Sequence, residues 1–107
     1  MTEDLFRHLR TAVTALDRPV GEMNRLDERQ QLLVILMEEC GELTQAASKV
    51  ARFGFDAEKV DELAKEAGDV LCMIDLMVEF GWVTQEQLDN RIPIKRNKLK
   101  IYSDILR

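Results

Sequence analysis

Aromatic side chains are scarce in this sequence, 6% of 107 residues, and only two prolines and five glycines interrupt it. With so few breakers and an abundance of Leu, Ala, Glu, Lys and Met, helices are favoured over sheets. Long apolar runs are missing too. The longest, Val70 to Phe80, is broken by Asp75 and Glu79 and is too short to span a bilayer, so no membrane partner is expected. Nor does the start read as a signal peptide, because Met1 to Leu9 carries Glu3, Asp4 and Arg7; a cytoplasmic location is expected. The single histidine, His8, is remote from the two cysteines, Cys40 and Cys72, which excludes a zinc site and makes buried free thiols the expectation. Net charge is −5, the opposite of the broad basic footprint of a nucleic-acid binder, and no nucleic-acid partner is expected.

What is present is a chain of 46% hydrophobic and 33% charged residues, the balance of a globular protein. Its length suits a single domain, residues 1–107, near the size at which one core becomes marginal and self-association an economical source of stability. The hydrophobic periodicity predicts four helical segments. One runs from about Glu3 to Leu16 and ends at Asp17-Arg18-Pro19 and Gly21. A second runs from about Asp27 to Ala51, with Gly54 as its C-terminal cap. A third runs from about Ala57 to Phe80 and stops at Gly81. The fourth starts at Thr84, with Gln87 at capping-box spacing, and continues to about Ile105, although Pro93 must kink it or divide it in two. Short connections make consecutive helices antiparallel neighbours, so the fold class is all-α, a four-to-five-helix bundle.

The carboxylates are oddly placed for such a bundle. On the second helix Leu32, Leu36, Leu43 and Val50 form one stripe, and Glu39 falls within it, with Glu42 at its margin. On the third, Val60, Ala64, Ala67, Leu71, Ile74 and Val78 make one apolar face and Met73, Leu76 and Phe80 a second. Its C-terminal half therefore reads as buried nearly all round, and Glu66 and Asp69 sit where a partner helix should pack. Each helix thus presents two acids three residues apart, on a shared face. Burying unpaired carboxylates is costly, and ordinary surface charge explains one such pair better than two on successive helices. Four acids converging on one volume need a hard divalent cation, for which Mg²⁺ is the usual occupant when phosphates complete its shell. No histidine is near, which disfavours a ferritin-like di-iron site.

These same residues carry a resemblance. Leu36-Met37-Glu38-Glu39-Cys40-Gly41-Glu42-Leu43, followed by Lys65-Glu66-Ala67-Gly68-Asp69-Val70-Leu71, resembles the MazG-like nucleotide pyrophosphohydrolases, whose signature is Glu-x-x-Glu, a spacer, then Glu-x-x-Asp. The similarity spans roughly Asp27 to Tyr102, with a metal-binding core at about 27–80 and a basic C-terminal helix at about 84–106. It implies Mg²⁺, with Mn²⁺ as a substitute, on Glu39, Glu42, Glu66 and Asp69, and hydrolysis of a nucleoside triphosphate to the monophosphate and pyrophosphate. It also implies a homodimer or homotetramer. Glu38 and Glu39 are the candidate catalytic acids, Glu38 for orienting or deprotonating the attacking water, although its helical angle points away from Glu39.

For the substrate, Ser48-Lys49-Val50-Ala51-Arg52-Phe53-Gly54 looks like the family's SK-x-x-RFG stretch, so Ser48, Lys49, Arg52 and Phe53 are candidates, Phe53 as a base-stacking ring. A basic helix end near the dipole's negative pole is the plainer alternative. Lys95, Asn97, Lys98 and Tyr102 are candidates for gripping the triphosphate, in a register that departs from the family's K-x-x-x-N-x-x-R pattern. Among relatives, dimeric dUTPases carry additional acidic motifs that are absent here. The phosphoribosyl-ATP pyrophosphohydrolases carry a Tyr-His pair after the second motif, where this chain has Val70-Leu71-Cys72-Met73-Ile74. A non-catalytic helical adaptor is the alternative from another class.

Overall fold

The computed structural model describes residues 26–106; the helix expected over Glu3 to Leu16 lies outside them. Among the described residues there are three helices and no strand: α1 (Glu28–Phe53), α2 (Ala57–Glu79) and α3 (Gln85–Tyr102). The chain forms two compact units, one reaching to Ile74 and the other beginning at Asp75. The first holds α1 and most of α2; the second holds the end of α2 and all of α3.

Each helix end has a local cause. Asp27 caps α1 through a capping box: its carboxylate accepts from the Gln30 N–H at 2.8 Å, and the Asp27 N–H donates to Gln30 Oε1 at 3.1 Å. Replacing Asp27 by alanine is expected to cost about 1 kcal/mol, read as a lower urea midpoint at unchanged slope. At the far end Gly54, at φ 101°, turns the chain out while its N–H donates to the Val50 carbonyl. Asp56 then opens α2, accepting from the Lys59 N–H at 2.9 Å and pairing with the Lys59 ammonium. That hydrogen-bonded ammonium holds the Asp56 carboxyl below its ordinary range.

α2 ends in a Schellman motif centred on Gly81, at φ 75°. The Gly81 N–H donates to Val78 O at 3.0 Å and the Trp82 N–H to Met77 O at 2.9 Å. The Thr84–Gln87 capping box starts α3 where the sequence puts it. Pro93 does not divide this helix, which runs through it as one element. The proline lacks the N–H that would reach the Asp89 carbonyl, and its ring crowds that carbonyl, but the remaining ladder carries the helix on. α3 stops at Tyr102, short of Ile105, because both the N–H and the hydroxyl of Ser103 turn back onto Leu99 O, at 3.0 and 2.6 Å.

Burial is thinner than the periodicity predicts. Leu26, Leu32, Val34, Ala46, Val50 and Met73 are buried. Leu36 and Leu43 are half-buried, whereas Val60, Ala64 and Leu71 are exposed. The C-terminal half of α2 is not buried all round: Met73 is, Ile74, Leu76, Met77 and Val78 are halfway, and Phe80 is exposed. α3 buries nothing. Cys40 and Cys72 are free but exposed, against expectation. The physical reason is common to all of these: a 3.6-residue period fixes which side chains share a face, not what covers that face.

Candidate metal centre

A seven-residue step returns an α-helix to within about 20° of the same direction. On α1 that step joins Leu32, Glu39 and Ala46, and the two apolar members are buried. Glu39 therefore stands in the buried seam of its own helix. On α2 the same step joins Glu66 to Met73, and both are buried. Glu66 is 5% exposed, the one buried charged side chain among the described residues.

The two seams bring their acids together. Carboxylate oxygens of Glu39, Glu42 and Glu66 all lie within 4.8 Å of one another. Asp69 stands outside that group of three, but its charge is near enough to help raise the Glu39 carboxyl. Glu42 is exposed and Glu39 half-buried, so the cluster has a wet side and a dry side. On the dry side, Glu39 Oε2 and Glu66 Oε2 are buried without a hydrogen-bond partner.

Their electrostatics follow from this placement. Burial, then the charges of Glu42 and Asp69, push the Glu39 carboxyl above its ordinary range. Burial, then contacts with Glu42 and Glu62, push Glu66 up to about 7, and Lys65 opposes this only weakly. Acids so strained lack a counter-charge. The donor set is all oxygen, converges from two helices and leaves two buried oxygens unpaired, which fits a hard divalent cation. Glu39, Glu42 and Glu66 would hold it, with Asp69 beside Glu39.

The other candidate residues are dispersed. Glu38 is half-buried next to Glu39 but is not among the three converging acids. Ser48 is half-buried, and Lys49 is exposed and lines a cavity with Ala46, Glu58, Lys59 and Glu62. Phe53 is 65% exposed, with the Arg52 guanidinium 5.1 Å and the Lys59 ammonium 6.0 Å from its ring centroid. Lys95, Asn97, Lys98 and Tyr102 are exposed on α3, in the second unit. Sequence reasoning missed Glu62 and Lys59. The signal for Glu62 was its place one turn before Glu66 on the same face.

Two helices that bring their acids together around two buried, unpaired oxygens give an all-helical arrangement, among the described residues, with a candidate carboxylate metal site. The model of the MazG nucleotide pyrophosphohydrolase domain matches residues 27–91, more than half of the 107-residue chain, and the chain belongs to that family. The matched span holds all four motif acids, while Lys95, Asn97, Lys98 and Tyr102 fall beyond it. No curated protein and no solved structure matches the chain. No helix among the described residues is long and apolar enough to cross a membrane.

Proposed function

We propose that the protein is a Mg²⁺-dependent nucleotide pyrophosphohydrolase that converts a ribo- or deoxynucleoside triphosphate to its monophosphate and pyrophosphate. The carrying observation is the pair of buried, partnerless oxygens of Glu39 and Glu66, contributed by facing helices in a member of this family. Bound Mg²⁺, or Mn²⁺ in its place, supplies charge neutralisation at the phosphates and an acidified water. The chain's own part is to fix the cation's oxygens. Glu39 and Glu66 are held by buried seams, Glu42 stands on the wet side, and Asp69, beside Glu39, is the fourth proposed ligand. Glu38, half-buried beside Glu39, is the proposed acceptor for the water's proton.

Lys95, Asn97, Lys98 and Tyr102 on α3 are the proposed donors to phosphate oxygens. Ser48, Lys49, Arg52 and Phe53 towards the end of α1 are assigned to the nucleoside; these substrate roles rest on the family resemblance. A homodimer or homotetramer belongs to the same reading, supported by large apolar side chains left exposed on the single chain, such as Leu71 at 60% and Ile101 at 65%. So does a cytoplasmic location.

The test is pyrophosphate release from a panel of ribo- and deoxynucleoside triphosphates. Release with Mg²⁺ or Mn²⁺ is expected to fall by at least about 100-fold in EDTA, on the scale of several kcal/mol of charge stabilisation, and to return with added metal. Folded protein that releases pyrophosphate from none of them overturns the proposal in favour of the helical adaptor.

A further inference from the structure

A cavity of ≈330 Å³ lies in the first unit, lined by Ala46 and Lys49 of α1 and by Glu58, Lys59 and Glu62 of α2. That volume is at the lower end for small-molecule pockets, enough for part of a nucleotide but not the whole. Its lining is unusual: two ammonium groups and two carboxylates, with formal charges that cancel. A lining of zero net charge offers a triphosphate no net attraction and suits the uncharged portion of the molecule, which offers hydrogen-bond donors and acceptors.

Glu62 belongs to this cavity and to the acid cluster at once. It lines the cavity, and it stands one turn before Glu66 on the same face of α2, near enough to help push the Glu66 carboxyl up. Its side chain is 50% exposed, and the ammonium of Lys65 is 3.9 Å away, too far for a hydrogen bond. Its oxygens are therefore open to a donor from a ligand.

We infer that Glu62 is the sugar-reading residue of the site, its carboxylate accepting a hydrogen bond from a hydroxyl of the substrate's ribose or deoxyribose. The inference rests on the nucleotide reading above and follows from connectivity. The sugar is the part of a nucleotide that joins phosphates to base. Glu62 is the side chain that joins the acid cluster, where the phosphates go, to the neutral cavity, where the base goes. An ionised carboxylate only accepts, so it selects hydroxyl donors and turns phosphate oxygens away.

The experiment compares the protein with its Glu62→Ala and Glu62→Gln variants, on a nucleoside triphosphate that is a substrate and on its 2′-deoxy and 3′-deoxy counterparts. In the unaltered protein, loss of the hydroxyl that Glu62 holds is expected to lower kcat/KM by about 10- to 100-fold, mainly through KM. In Glu62→Ala the same loss has no effect, so the two changes are non-additive. Glu62→Gln keeps a carbonyl acceptor and retains part of the discrimination. Equal losses in protein and variant at both hydroxyls overturn the assignment while leaving the reaction class intact, since pyrophosphate is still released. Indifference of the unaltered protein to both hydroxyls overturns it in the same way. No release from any of the nucleotides overturns both readings together.

Discussion

Replacing Glu66 with glutamine is expected to cut metal-dependent pyrophosphate release by on the order of 10³-fold and, in the same variant, to raise the melting temperature of metal-free protein at pH 8. The two effects have one cause. Glutamine keeps the shape of the side chain in its buried seam but removes the charge. Without metal, that charge has Glu42 and Glu62 against it and an unpaired buried oxygen, so its removal relieves the folded state. With metal, the charge is what holds the cation, and an amide oxygen is a much weaker ligand for a hard ion. Several kcal/mol of transition-state stabilisation corresponds to the loss named. A purely structural acid would behave differently, since its loss should lower melting whether or not metal is present. A Glu66→Gln protein that melts lower than the parent in EDTA would therefore count decisively against Glu66 as a ligand.

The second large effect is a dependence on pH that metal reverses. In the unfolded chain the Glu66 carboxyl titrates near 4.5; in the folded chain, chiefly because it is buried, it titrates at about 7. Between these values the folded state binds more protons than the unfolded one, so stability falls as pH rises across that window. The contribution is fully present below about 4.5 and gone above about 7. Glu39, raised for the same first reason, adds in the same direction. Asp56 works the other way, because Lys59 lowers its pKa and its contribution is lost in acid.

A cation has to displace the shared proton, so its apparent affinity climbs by up to about tenfold per pH unit until Glu66 is ionised. The gap in melting temperature between Mg²⁺-loaded and EDTA-treated protein should widen from pH 5.5 to about 7 and level off above it. A gap that stays flat, or EDTA-treated protein that gains stability over that range, would contradict the assignment.

Some of this could be read from the sequence and some could not, for definite reasons. The helix ends were legible because they are local: Thr84 with Gln87, and glycines 54 and 81 at positive φ, act within a single turn. The acids were legible because Glu39 and Glu66 interrupt apolar stripes, and a stripe is a property of one helix. Coverage is not such a property. Leu71, Val60 and Phe80 sit on good helical faces and are nonetheless exposed, and the same ignorance made Cys40 and Cys72 read as buried. Pro93 reads as a kink or a division because proline loses one bond and crowds the carbonyl four residues back; the bonds kept on either side hold the helix as one element. Glu62 escaped notice for the opposite reason to Glu66. A half-exposed glutamate near a lysine looks ordinary in a sequence, even one turn before Glu66, and the adjacent cavity is what gives that position meaning.

The unpaired oxygens of Glu39 and Glu66 also bear on how this chain responds to selection. Most proteins sit a little above a stability threshold, and substitutions that strengthen them are easy to find. Here the most accessible gains lie at the acids themselves, where a neutral residue of similar size removes strain at a stroke. A library screened for heat resistance alone would discard the centre first and return robust, inert helices. Any engineering of the chain has to score the response to metal alongside the melting point, so that only variants that still need their cation survive.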